Sequence, residues 1–200
     1  MTTPPIILAS ASAIRAELLT RAGLSPRLQP ARIDEEAIRQ AHLAEGGAVR
    51  DLAPLLASLK AARVAPRFPD ALTIGADQIL LCDGQVLAKP VDRADAARQL
   101  AFLSGRTHSL LTAAVVCQGQ TELWRHQSEP RLTMHKLSPA FIEAYLDRTW
   151  DQVRHSVGCY QIESEGPRLF SRVEGDFFAI QGLPLIELLT WLTIRGDIAI

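Results

Sequence analysis

Ile6-Ile7-Leu8-Ala9-Ser10-Ala11-Ser12-Ala13-Ile14-Arg15-Ala16-Glu17-Leu18-Leu19-Thr20-Arg21-Ala22-Gly23 carries the first decision about the fold. The unbroken apolar run Ile6–Ala9 predicts a short buried strand, because both faces of such a strand meet other protein. Ser10-Ala11-Ser12 is a small polar loop. Ile14, Leu18, Leu19 and Ala22 then recur at helical spacing up to Gly23, a residue suited to ending a helix. A buried strand running straight into an amphipathic helix is the opening of a layered α/β domain.

The pattern continues outward. A helix is expected from about Pro54, as first helical residue, through Leu55, Leu56, Leu59, Ala62 and Val64. Leu72–Ile74 reads as a strand, and Ile79–Cys82 and Val86–Leu87 read as a hairpin about Asp83-Gly84. Asp92 caps a helix through Ala96, Ala97, Leu100 and Leu103, ended by Ser104-Gly105. Thr107–Cys117, Thr121–Gln127 and Arg131–Leu137 form a strand meander with a turn at Gly119. Ser138-Pro139 starts a helix through Phe141, Ile142 and Tyr145. Strands near Gly158–Ile162 and Leu169–Val173 precede a last helix from Leu185 to about Thr193. Helices at both ends and strands through the middle give an α/β or α+β fold with a mixed sheet. No repeat, charge block or Gly/Ser linker divides residues 1–200, which read as a single domain.

Composition narrows the function classes. The chain has 200 residues, 48% hydrophobic and 22% charged, enough for a sizeable core. Its 21 Lys plus Arg against 22 Asp plus Glu give a formal charge of −1, without the basic excess of a nonspecific nucleic-acid binder. Any anion must therefore be held by a local cluster. Cys82, Cys117 and Cys159 are odd in number and widely spaced, which fits reduced, buried thiols in a cytoplasmic protein. The segment from Met1 to Ala13 lacks the basic start and long apolar run of a secretory leader. The stretch Leu183–Ile194 is interrupted by Pro184, Glu187 and two threonines, so no membrane span is expected.

Three places can carry chemistry. Ser10, Ser12 and Arg15 surround a strand-to-helix junction, where free backbone N–H groups favour anions; the same serines would serve as plain helix caps. Asp77 follows a strand and the small pair Gly75-Ala76, a setting where a substrate can approach the backbone, or where an aspartate can bond its own turn. Lys89, just past a strand and fixed by Pro90, is a point charge suited to phosphate or an ordinary surface lysine. Asp34-Glu35-Glu36 offers carboxylates to a hard divalent cation or simply a solvated face. The five histidines show no paired-ligand spacing for zinc, and neither a phosphate-binding Walker loop nor a nucleophile-elbow serine motif is present.

Taken in order, these pieces resemble one family. Leu8-Ala9-Ser10-Ala11-Ser12-Ala13-Ile14-Arg15-Ala16-Glu17-Leu18-Leu19 is similar to the opening motif of the Maf-type nucleoside triphosphate pyrophosphatases. Ile33-Asp34-Glu35, Leu59-Lys60-Ala61, Ile74-Gly75-Ala76-Asp77 and Ala88-Lys89-Pro90 follow in the family's order. So do Leu103-Ser104-Gly105-Arg106-Thr107-His108, Gly158-Cys159-Tyr160, Val173-Glu174-Gly175-Asp176 and Gly182-Leu183-Pro184-Leu185.

The resemblance implies a cytoplasmic homodimer that cuts a nucleoside triphosphate to monophosphate and pyrophosphate with a divalent cation, Mg²⁺ or Mn²⁺. It implies an elongated mixed sheet flanked by helices, in two lobes with a cleft, similar to the inosine triphosphate pyrophosphatases. Asp77 matches the family's proton acceptor, and Ser10, Ser12 and Arg15 match its phosphate loop. Glu35, Lys60 and Lys89 match the other charged positions, with Glu35 and Asp77 as metal ligands and Lys60 and Lys89 as catalytic cations. Ile14, Gln78 and Glu163 fall where base preference is set. Gln78 and Glu163 look like the branch acting on 7-methylguanosine triphosphate, since a carboxylate can accept from the N1–H and N2–H edge of guanine. Ile14 stands where that branch has tryptophan. Ala13, Ala88 and His155-Ser156-Val157 also depart from the family pattern, and Ser156 replaces a lysine. The alternative is a nucleotide-sensing regulatory protein in cell-division arrest, with little turnover.

Overall fold

The computed structural model describes residues 4–199. Met1–Thr3, which open the segment read above for a leader, and Ile200 lie outside the described residues. Among the described residues, eight strands and seven α-helices form an α/β fold with a mixed sheet. Its strands are hydrogen-bonded in the order β2 (Arg27–Leu28), β1 (Ile6–Leu8), β3 (Leu72–Cys82), β5 (Thr107–Gln118), β7 (Arg131–Met134) and β8 (Phe170–Glu174). Two more lie off this path, β4 (Gln85–Leu87) on β3 and β6 (Thr121–Ser128) on β5. The chain divides into two compact units: residues 4–78, 112–128 and 182–199, and residues 79–111 and 129–181.

In the first unit, β1 is buried throughout and pairs in parallel with β2 and β3. Helix α1 (Ala13–Arg21) follows β1 as expected; the Ser12 hydroxyl accepts the Arg15 N–H at its start and Gly23, at φ 84°, follows its end. Helix α3 (Leu52–Val64) begins two residues before Pro54, a correction of the expected start. Pro is tolerated anywhere in a first turn, since those N–H groups have no intrahelical partner. Leu52, Leu56 and Val64 of α3 are buried, as is Leu188 of α7 (Leu185–Arg195).

Helix α2 (Glu35–Ala44) has no counterpart among the expected elements. It is capped by the Asp34 carboxylate, which accepts the Ala37 N–H at 3.0 Å, and none of its residues is buried. Without a buried stripe there is no core-facing periodicity to read. Strand β3 is the second correction: Leu72–Ile74 and Ile79–Cys82 are one continuous strand, so Asp77 lies inside it rather than past its end. Gly75 is no break. A Cβ there would stand 2.0 Å from the Ala57 carbonyl oxygen, so the glycine lets α3 pack on the strand.

The second unit takes the remaining parts of β3 and β5, together with β4, β7 and β8. Asp83 and Gly84 both have positive φ in the β3–β4 turn, as a tight hairpin requires. Helices α4 (Arg93–Leu103) and α5 (Pro139–Val153) start at Asp92 and Ser138, whose side chains accept N–H bonds from Asp95 and Phe141. Leu100, Leu103, Leu132, Leu146 and Tyr145 fill the core. Gly158–Ile162 is not a strand, contrary to expectation. Gly158 and Cys159 have φ of 74° and 58°, a left-handed pair that cannot extend, and the apolar pattern there reflects burial in this core. The three cysteines are free and buried, and burial pushes the Cys159 thiol up to about 12.

Candidate active site

The first unit gathers the charged residues of widely separated segments. Asp77 points from β3 toward Lys60 of α3, whose ammonium donates to Asp77 Oδ1 at 2.5 Å. The same ammonium lies 2.8 Å from Glu35 Oε1, at the start of α2. The Lys60 and Asp77 side chains are each 8% exposed, whereas Glu35 is 51% exposed, so the cluster has one open side. Gly75, by admitting the α3 backbone against β3, sets the distance that Lys60 spans.

Arg15 projects from the first turn of α1. Its Nε donates to the Gly182 carbonyl at 2.7 Å, and its Nη1 donates to the Ala76 carbonyl at 2.8 Å and to Ser10 Oγ at 3.2 Å. The Ser10 hydroxyl also accepts the Ser12 N–H at 3.2 Å, so Ser10, Ser12 and Arg15 form one hydrogen-bonded loop. Arg15 Nη2 has no hydrogen-bond partner among the described residues, which leaves two donors for an incoming oxygen.

Two acids and two bases thus share a largely dry site. Burial raises the Asp77 pKa above the ordinary carboxylate value; Lys60 and Arg15 pull it back, and Glu35 adds to the rise. Burial lowers the Arg15 pKa, opposed by Asp77 and Glu35. A carboxylate with a raised pKa is a better base near neutrality than a solvated one. With its charges balanced, the cluster can accept a polyanion if a counter-cation arrives with it.

Gln78 continues β3, and its amide nitrogen donates to Thr112 Oγ1 on β5 at 2.9 Å. Ile14 is half-buried in the first turn of α1. Lys89 and Glu163 belong to the second unit: Lys89 is exposed in the loop after β4, and Glu163 is exposed in the turn beyond Tyr160. Sequence reasoning missed Thr112 and the Ala76 carbonyl as partners. Neither has a local signature, since one is a strand hydroxyl and the other a backbone atom. Gly182 stands in a recognisable motif, but nothing in that motif points to its carbonyl.

Among the described residues no group of three or more His, Cys, Asp or Glu side chains converges in a way that could hold a metal. Glu35 and Asp77 are two carboxylates converging on one cation, the Lys60 ammonium. That donor set fits magnesium or manganese, which bind through one or two carboxylates with the rest of the shell from water and substrate phosphate; it does not fit a closed zinc or calcium cage. No helix among the described residues is long and apolar enough to cross a membrane.

The class these features define is an α/β protein with a half-open site of balanced charge built around one strand. Comparison with known sequences makes this specific. The family model described as Maf-like protein matches residues 5–194, so the chain belongs to the Maf-like family. A protein from Roseobacter denitrificans named nucleoside triphosphate pyrophosphatase is 48% identical over 97% of this chain and 98% of its own length. A Jannaschia protein named nucleoside triphosphate pyrophosphatase 1 is 50% identical with the same coverage, and a Ruegeria relative of similar name is 44% identical over 96% of this chain and 97% of its own. Among solved structures, a nucleoside-triphosphatase described as a dITP/XTP pyrophosphatase, from Mycobacterium abscessus, covers 66% of this chain and 74% of its own. The two align at a TM-score of 0.39 and 16% identity.

Proposed function

We propose that this chain hydrolyses a nucleoside triphosphate to the nucleoside monophosphate and pyrophosphate. The observation that carries the reading is the convergence of Asp77, Lys60, Glu35 and Arg15 in one largely buried cluster with an open side. Relatives sharing 44–50% identity over nearly the whole chain bear the name nucleoside triphosphate pyrophosphatase, which supports it. The match at residues 5–194 supports treating both units as one functional domain.

In this reading water attacks the α-phosphorus, the bond from that phosphorus to the bridging oxygen breaks, and pyrophosphate leaves. Asp77 accepts the proton of the attacking water. Arg15, through its unengaged Nη2, and Lys60 offset charge on the phosphate oxygens, with Ser10 and Ser12 lining the loop beside them. Lys89 is assigned a like role in the second unit by its motif. Glu35 and Asp77 would hold Mg²⁺ or Mn²⁺. When bound, such a cation lowers the pKa of water and screens the polyphosphate. Lys60, now shared by both carboxylates, would then be free to face phosphate.

For the base, Gln78 and Glu163 support a purine with N1–H and N2–H donors, and 7-methylguanosine triphosphate is the modified nucleotide these two favour, whereas Ile14 departs from that branch and offers no ring to stack on the base. A homodimer in the cytoplasm, implied by the family, belongs to the same proposal. The test is pyrophosphate release from a panel of nucleoside triphosphates, including 7-methylguanosine triphosphate, with Mg²⁺, Mn²⁺ or chelator. The expected result is cation-dependent release with a purine preference. Binding without release would instead favour the sensing alternative.

A further inference from the structure

The geometry points to Gly182 as a positioning residue: its carbonyl anchors Arg15, and Arg15 in turn fixes the peptide that carries Asp77. This rests on the reading of Asp77 as proton acceptor. The β1–β3 register ends at Leu8 opposite Ile74, with a last bond from the Ala9 N–H to the Ile74 carbonyl at 2.8 Å. Carbonyls on a strand alternate sides, so the Ala76 carbonyl faces the same way as that of Ile74. By then the chain of β1 has turned away through Ser10, and no ladder partner remains for it.

Arg15 takes that place. Its Nη1 donates to the Ala76 carbonyl, one peptide before Asp77, so the guanidinium stands in for the missing strand. An arginine from a helix has four side-chain torsions and would wander unless held. Gly182 holds it: the Nε–H donates to the Gly182 carbonyl at 2.7 Å, and Ser10 fixes the remaining Nη1 hydrogen.

Gly182 is suited to this for two reasons. Its φ of 103° is a conformation that side chains disfavour. A Cβ there would stand 3.1 Å from Arg15 Nε and 3.2 Å from Nη2, crowding the guanidinium it must receive. The carbonyl is itself fixed, because Leu183 and Leu185 are buried and Pro184 restricts the backbone at the start of α7. The Gly182-Leu183-Pro184-Leu185 motif thus presents one carbonyl at a fixed point. The charged neighbours of the strut are Asp77 and Glu35, and Lys60 is paired with Asp77.

The experiment uses the full chain, labelled with ¹⁵N, as wild type, Gly182→Ala, Arg15→Lys and the double variant. A hydrogen bond to the Ala76 carbonyl polarises the Ala76–Asp77 peptide, so the Asp77 amide resonance reports the strut without any turnover. Both single variants are expected to shift that resonance while amides of the second unit, such as Leu146, stay in place. In pyrophosphate release, Gly182→Ala is expected to lower kcat by about 10- to 100-fold with KM changed less than about threefold, the signature of misplacement rather than lost binding. The double variant is expected to be no slower than Arg15→Lys alone, because both changes break one linkage. A merely structural glycine would give additive losses. An Asp77 amide unmoved in the folded Gly182→Ala protein, or additive losses in the double variant, overturns the proposal. Should Gly182→Ala not fold, wild type labelled with ¹³C and ¹⁵N decides together with Arg15→Lys. A through-hydrogen-bond coupling between Arg15 Nε and the Gly182 carbonyl carbon, with a shifted Asp77 amide in Arg15→Lys, supports the strut, and the absence of either overturns it. Wild-type protein that releases no pyrophosphate would refute the proposed function, while the amide readout would still decide the strut.

Discussion

The Lys60 ammonium stands 2.5 Å from the Asp77 carboxylate, and both side chains are only 8% exposed. An asparagine at position 77 would still accept a hydrogen bond from Lys60 but could not take a proton. Asp77→Asn is therefore expected to keep the fold, seen in its circular dichroism, and to lower pyrophosphate release by at least about 100-fold. Near-normal turnover in the folded variant would remove Asp77 from the chemistry.

Removing the cation instead has a different signature. In Lys60→Met the apolar stem is replaced, but Asp77 is left as a buried acid with only Arg15 to oppose its desolvation. Losing one partner of a buried pair costs roughly 3 kcal/mol. The sign with pH follows from Asp77, whose pKa is already raised in the fold and rises further without Lys60. The native state then holds a proton that the unfolded chain has released, so stability falls as pH rises above the unfolded value of 3.8. Urea titrations should show the variant near wild type in acid and increasingly weaker toward neutrality. A deficit that grows in acid would contradict this.

Gly75 tests how the two elements are held together. A Cβ at that position would fall 2.0 Å from the Ala57 carbonyl oxygen and 2.7 Å from the Ala61 nitrogen, both backbone atoms of α3. Neither can rotate aside, so Gly75→Ala must push the helix off the strand. The expected cost is about 3 kcal/mol, at the upper end for overpacking, with turnover lost because Lys60 no longer reaches Asp77. Thermal melts and pyrophosphate release on the same preparation check both halves; a variant as stable and active as wild type would show that α3 does not set this distance.

These residues also show how much of the fold is legible in one dimension. The β1–α1 junction, the Asp83-Gly84 hairpin and the caps at Asp92 and Ser138 carry short-range signals, and each is found where its pattern lies. Gly75 misleads because a glycine that admits a neighbouring helix looks, in sequence, like one that breaks a strand. Helix α2 escapes notice because its face buries nothing. The motif residues Ser10, Arg15, Glu35, Lys60 and Asp77 can be named individually, but the linkage among them runs through the Ala76 and Gly182 carbonyls, which every residue type possesses. Sequence identifies side chains and is silent on which backbone atoms they meet.

In the second unit, the ring of His108 packs at a tilt against those of Tyr160 and Phe170. Its Nε2 is 2.8 Å from the Tyr160 hydroxyl, and its Nδ1 is buried with no partner among the described residues. Burial lowers its pKa from 6.5 to about 4. The folded ring thus stays neutral in a range where the unfolded chain binds a proton. Stability from this source is complete above pH 6.5 and is lost as pH falls toward 4, by about 3 kcal/mol in all. His108→Phe keeps the aromatic packing but cannot titrate, and it leaves the Tyr160 hydroxyl without its partner. The variant should therefore be weaker than wild type at pH 7 and close much of that gap by pH 4.5. Paired urea unfolding curves at the two pH values measure this directly, and equal acid losses in the two proteins would show that His108 is not the acid-sensitive element of its unit.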